Sequence, residues 1–146
     1  MPTPCPHCGA PSGYAACEAR WHALLALDHS HEPPWGPAHG TAFATWTLQH
    51  SALADKGSVA RSLEALTRIV DGKEDQAAVF EEFRARGGEV SVADSPPVKA
   101  PREFTVTIHD LKDFPAGTYV ADLRLWAAAT LTAWKASDKG ESRSES

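Results

Sequence analysis

The chain has 146 residues, 42% of them hydrophobic, with five tryptophans, which suits one ordinary domain with a real core. Its 14 basic and 19 acidic residues leave a formal charge of -5, and no basic run exceeds two residues. That pattern argues against a general nucleic-acid surface. The longest apolar stretch, in the last helical segment, is interrupted by Thr130 and Thr132 and is too short and alanine-rich to span a bilayer. After Met1 the chain goes straight to Pro2, Pro4, Cys5 and Cys8, with no basic-then-apolar leader pattern. Three cysteines cannot all pair as disulfides, so a reducing, cytoplasmic setting is expected, where thiols are available to metals.

Residues 2–13 are rich in Pro, Cys and Gly and predict a tight knuckle. A helix is expected from Tyr14 to about His29, with Cys17, Trp21, Leu24, Leu25 and Asp28 along one face. Residues 30–37, holding Pro33, Pro34, Gly36 and Pro37, break it. Trp35, in this turn, is the aromatic expected to be exposed. A second helix is expected over 38–55, with His39, Phe43, Trp46 and His50 aligned. A third over 58–70 starts on Ser58 as N-cap and turns Val59, Leu63, Leu66 and Val70 inward. A fourth over 74–86 carries Ala77, Phe80 and Phe83 as its apolar stripe and is closed by Gly87-Gly88. Residues 89–102 read as a linker. Phe104 to Ile108 alternates like a strand, whose candidate partner is Glu89 to Val92. The last helix, over 116–137, aligns Tyr119, Leu123, Trp126, Thr130 and Trp134. The expected fold is therefore a mainly α, small helical bundle in a single domain over 1–137. Residues 138–146 are expected to be a disordered, serine-rich acidic tail.

Cys5-Pro6-His7-Cys8-Gly9 is the sharpest local signal. Two cysteines separated by two residues make half of a zinc knuckle, and Gly9 lets the backbone turn both sulfurs inward. Cys17 is the one remaining thiol, so a histidine must complete a Cys3His set for Zn2+. If the first two helices form an antiparallel hairpin, helix arithmetic selects the histidine. Cys17 and Asp28 are eleven residues apart, as are His39 and His50, which is about 16 Å of rise. The hairpin then matches Cys17 with His50, Trp21 with Trp46, Leu24 with Phe43, and Asp28 with His39. His50 becomes the fourth ligand, with His7 as a competitor. A redox Cys-x-x-Cys pair would need a preceding strand, for which there is no room.

Asp28 and His39 form a second polar group, near His29, His31 and Glu32, with His109 able to approach from elsewhere. Carboxylate plus imidazole can bind a divalent metal or act as an oriented base, or can simply tie a helix end. His22 points about 140° away from Cys17 on a helical wheel and joins neither group. There is no HExxH motif, Gly-rich phosphate loop or nucleophile elbow. The tryptophans at helical spacing read as core.

Cys5-Pro6-His7-Cys8-Gly9, then Cys17 with Arg20-Trp21 and Leu24-Leu25-Ala26, then His39 and the Leu48-Gln49-His50 run, resemble a bacterial family of small uncharacterised proteins. Leu125-Trp126-Ala127 and Ala133-Trp134 are similar as well. The resemblance implies an acidic residue at Asp28, a second histidine where this chain has Gly40, and a proline where it has Ser51. The missing histidine weakens a His39-centred metal site, and the resemblance supplies no activity. Three functions follow: a zinc-stabilised interaction or regulatory domain for an unidentified protein partner; a small metal-dependent, hydrolase-like enzyme using Asp28, His39 and His109; and a small-molecule binding module with an aromatic-lined helical pocket.

Overall fold

The knuckle is made by its backbone. Cys5 N–H reaches Ala10 O at 2.9 Å and Gly9 N–H reaches Cys5 O at 3.0 Å. Gly9 sits at φ 82° and Gly13 at φ 89°, in the region that disfavours any side chain. A Cβ on Gly13 would meet Thr3 O at 2.9 Å, so this glycine lets the knuckle pass directly into the first helix. A computed structural model describes residues 3–30, 32–86 and 100–144, with side chains as far as residue 137.

Among the described residues five α-helices follow the knuckle. They are α1 (Tyr14–His29), α2 (His39–Gln49), α3 (Lys56–Leu66), α4 (Gln76–Ala85) and α5 (Tyr119–Ser144). A single 3-10 turn, Ser51–Leu53, follows α2; a π turn, Thr67–Asp71, extends α3; and a further 3-10 turn, Ile108–Leu111, precedes α5. Among the described residues no helix is long and apolar enough to cross a membrane.

The central element is α2. Thr41, Ala42, Ala44, Thr45, Thr47, Leu48 and Gln49 are all buried, so it is covered on nearly every side. It packs most extensively on α3 and next on α5. Small residues on α2 permit that approach, and Thr45 folds its hydroxyl back onto Thr41 O at 2.8 Å. The expected face of α5 is the observed one, whereas on α3 the fully buried residues are Gly57, Ser62, Ala65 and Leu66, and Val59, Leu63 and Val70 are half-buried. Leu66 is buried with Val59, Leu63 and Val70 packed around it. Tyr119, Leu123, Trp126, Thr130 and Trp134 are all buried along α5. On α4 the fully buried residue is Val79; Phe80 and Phe83 are half-buried and Ala77 is exposed.

Several boundaries differ from expectation, each for a physical reason. α2 stops at Gln49, not near residue 55, because His50 leaves helical geometry at φ -131°. α3 begins two residues early, because Asp55 rather than Ser58 is the cap: its carboxylate accepts from Ser58 N–H at 2.8 Å. Asp75 caps α4 in the same way. The strand expected over 104–108 is absent. Phe104 N–H is bonded instead to Cys8 O at 3.2 Å, and Thr107 opens the Ile108–Leu111 turn in a capping box with Asp110. Its expected partner, 89–92, lies outside the described residues. Trp35, expected to be exposed, is half-buried, and its Nε1 donates to Phe114 O at 2.9 Å. α5 continues in helical backbone to Ser144, into the stretch read as a tail, so a boundary at residue 137 rests on composition alone.

The last turn of α2 is tied to α5 by two polar side chains. Trp134 Nε1 donates to Leu48 O at 2.9 Å, satisfying a carbonyl that the helix end leaves without an amide. Gln49 Nε2 donates to Thr130 Oγ1 at 2.9 Å and to Val106 O at 2.7 Å. Replacing Trp134 with Phe keeps an aromatic ring but strands the buried Leu48 carbonyl. Urea denaturation of Trp134→Phe should show a loss of about 1–3 kcal/mol from that carbonyl alone; an unchanged midpoint would mean that the bond contributes nothing.

Candidate metal centre

Three separate pieces of chain deliver four donors. Cys5 and Cys8 come from the knuckle, Cys17 from the first turn of α1, and His50 from the residue after α2. All four are buried, and their ligand atoms lie within 4.8 Å of one another. Cys8 Sγ and Cys17 Sγ are 3.6 Å apart. A tetrahedral zinc site, with Zn–S near 2.3 Å and Zn–N near 2.0–2.1 Å, has S···S edges of about 3.8 Å and S···N edges of about 3.5 Å. The donors thus fit such an ion with at most about 1.3 Å of closure along any edge.

His50 is prepared for this position. Its backbone N–H bonds Trp46 O at 3.0 Å, and its Nδ1 lies 3.3 Å from the same carbonyl. A proton on Nδ1 directed at that oxygen fixes the tautomer that leaves Nε2 with its lone pair. Nε2 is buried and has no protein hydrogen-bond partner, as expected of an atom reserved for a metal. The ring stacks on Trp46, centroid to centroid at 3.7 Å, and Trp46 stacks on Trp21 at 5.0 Å with an interplanar angle of 1°.

The thiols hold their protons unequally. A hydrogen bond from Cys17 pulls Cys8 from 9.0 down to about 4, against the opposing effect of burial. The same Cys8–Cys17 bond, together with burial, pushes Cys17 up. One thiolate is therefore already favoured in this pocket, which is the form that binds metal.

His7 lies beside the cluster and outside it, with its ring edge-on to Tyr14 at 5.5 Å and 5.8 Å from the His50 ring. His109 lies closer than the sequence could indicate. Its Nε2 is 3.5 Å from Cys17 Sγ, so it flanks the cysteine cluster and does not meet Asp28 or His39. Burial, then the charge of Arg20, lowers its pKa. A neutral imidazole there can donate Nε2–H to a thiolate, the kind of outer support that metal-bound sulfur commonly receives. Arg20 fastens the same segment by donating to Lys112 O and pairing with Asp113 at 3.6 Å. No spacing rule could have found His109, since 92 residues separate it from Cys17.

At the other end of the hairpin, His39 Nδ1 and Asp28 Oδ2 are 2.6 Å apart. Asp28 is buried and its Oδ1 has no partner; His39 is half exposed. The expected pairing of the two helices holds at Cys17 with His50, Trp21 with Trp46, and Asp28 with His39. Phe43, expected opposite Leu24, sits half exposed, its ring centroid 6.3 Å from that of Trp21 and 6.1 Å from that of His39. His22, His29 and Glu32 are exposed, and His31 lies outside the described residues. Gly40 carries no donor, and a Cβ there would strike the Phe80 ring at 2.6 Å. Among the described residues the one group of three or more metal-capable side chains is the Cys3His cluster.

The chain belongs to DUF5946, a family of unknown function whose model matches residues 3–135. That span contains the knuckle, the hairpin and most of α5. No curated protein and no solved structure matches the chain.

The bond from Asp28 raises the pKa of His39 above 6.5, against the opposing effect of burial. The charged pair therefore stabilises the fold fully below pH 6.5, and its contribution fades as pH rises through the raised value. Proton NMR titration of the His39 ring should give a midpoint above 6.5 that falls in Asp28→Asn. A wild-type midpoint at or below 6.5, or one unmoved by the substitution, would contradict the pairing.

Proposed function

We propose that Cys5, Cys8, Cys17 and His50 hold one zinc ion in a closed structural site, and that the chain is a zinc-fastened helical module that acts by binding a protein partner. The observation that carries this reading is the buried, unpartnered His50 Nε2 facing three buried thiols. With four protein donors, zinc has no position left for water or substrate, which is the mark of a structural site. Three thiolates and an imidazole also suit zinc better than a harder cation. Reduced thiols are required, which fits the cytoplasm.

The role follows from what the ion would join. The knuckle has little apolar surface of its own, yet Cys5, Cys8 and Ala10 sit in the same core as Trp21, Leu24 and Trp126. Zinc bonds would fasten that short segment to both ends of a hairpin it could not otherwise grip, so metal binding and folding become one equilibrium. A metal-dependent enzyme centred on Asp28 and His39 has less support. Only two donors meet there, and His109 stands at Cys17 instead.

Protein purified without added metal should contain one equivalent of zinc by elemental analysis, and Cys8→Ser should lose it. A strong chelator should lower the wild-type melting temperature by many degrees and leave Cys8→Ser, already destabilised, unaffected. Metal-free wild type that melts normally would sink the proposal. A second equivalent that survives Cys8→Ser and disappears in His39→Ala would favour the enzyme reading.

A further inference from the structure

His109 is not one of the four donors, yet its Nε2 lies 3.5 Å from Cys17 Sγ. The fold holds it there from two sides. The Ile108–Leu111 turn that carries it is closed by the Thr107–Asp110 capping box, with Thr107 N–H on Asp110 Oδ2 at 2.8 Å. Ile108 and Leu111, on either side of the ring, are both buried and seat the turn in the core. Arg20, one turn beyond Cys17 on α1, donates to Lys112 O and pairs with Asp113 at 3.6 Å. Helix α1 thus grips the far end of the turn while the His109 ring returns to Cys17. A side chain carried on so well-tied a segment keeps its direction.

The sulfurs of the cluster are not placed alike. Cys8 lies in the knuckle, where the backbone of Ala10 bonds its sulfur. Cys17 lies in α1, where its own N–H goes to Gly13 O at 3.3 Å and the amides that follow belong to the helical ladder. A ligand on a helix therefore lacks the local amide that a knuckle offers. A donor for its sulfur has to come from elsewhere in the fold, and the His109 ring stands at hydrogen-bond distance. Charge fixes the direction of that bond. A thiolate has no proton to give, so the hydrogen must sit on Nε2, because a lone pair there would face the lone pairs of the sulfur.

We infer that His109 is a positioning residue of the metal centre, whose Nε2–H bonds the Cys17 thiolate and tightens the hold of the site on its ion. This rests on the zinc reading above and adds to it a residue outside the four ligands. Three thiolates around one dication leave a net negative charge on the sulfurs. A hydrogen bond to one of them draws off part of that charge and makes Cys17 a poorer target for protons and electrophiles.

The test loads the full-length protein with Co2+ in place of zinc, so that affinity and the sulfur-to-metal charge-transfer band are both read. His109→Leu removes the donor and should weaken Co2+ about 10–100-fold, the usual result of losing an outer partner. Its charge-transfer band should move to lower energy. His109→Gln places an amide N–H near the former Nε2 and should restore most of the affinity and the band position. A packing role alone would not separate Gln from Leu in this way. Should His109→Leu fail to fold, zinc-loaded wild type still decides: long-range proton–nitrogen NMR should find the His109 proton on Nε2. Unchanged affinity and band in His109→Leu, a Gln variant as weak as Leu, or a His109 proton on Nδ1 alone would each overturn the inference and leave the zinc site standing. Wild type that binds neither Zn2+ nor Co2+ would remove both.

Discussion

The ring stack of Trp21, Trp46 and His50 is the constraint on which the rest of the structure depends. Trp46 lies parallel to Trp21 at 5.0 Å on one side and against His50 at 3.7 Å on the other. It therefore joins two helices and also sets the plane of the imidazole. The Trp46 carbonyl adds the second restraint by meeting both His50 nitrogens that point toward it, the backbone amide and Nδ1. Once the ring plane and the tautomer are set, Nε2 has one direction in which to face, toward the thiols. The desolvation cost of burying that nitrogen without a protein partner is met when an ion occupies the space between the four donors.

The Leu48-Gln49-His50 run makes sense as three different attachments at one helix end. Leu48 is buried in a cluster with Leu66, Leu131 and Trp134 and offers its carbonyl to Trp134. Gln49 reaches Thr130 on α5 and the backbone at Val106. His50 turns away to the knuckle. A helix end is the place where consecutive residues can diverge in this way, because the backbone has just been released from its hydrogen-bond ladder. The early stop of α2 is thus what permits His50 to join the cysteines.

Helical periodicity made the hairpin legible. An eleven-residue spacing repeated on both helices was enough to pair Asp28 with His39 and Trp21 with Trp46, since rise per residue is nearly invariant. The buried face of α5 was legible for the same reason. The segment over 104–111 was not. Its alternation resembles a strand, yet a strand depends on a partner, and here the backbone spends its bonds on Cys8 O and on the Thr107–Asp110 box. His109 was named as a candidate but could not be placed, because its position follows from that turn and from Arg20 holding Lys112. Ser58 looked like a cap on its own chemistry. Asp55, three residues earlier, carries the stronger acceptor, and Ser58 becomes the donor. Local patterns therefore identified the helices and their faces, whereas contacts between distant segments decided the irregular stretches.

The hairpin separates two kinds of chemistry by its own length. At one end the cysteines and His50 are buried, with their donor atoms within 4.8 Å of one another. At the other, His39 is backed by a buried carboxylate and stands half exposed. The aromatic series His50, Trp46, Trp21, Phe43 and His39 runs between them in unbroken contact. Close-packed rings transmit a displacement rather than absorb it. A knuckle that loosens at His50 therefore removes the support beneath Trp46 and, through Trp21 and Phe43, beneath His39. On that ground the buried end must hold its shape if the half-exposed end is to keep its own.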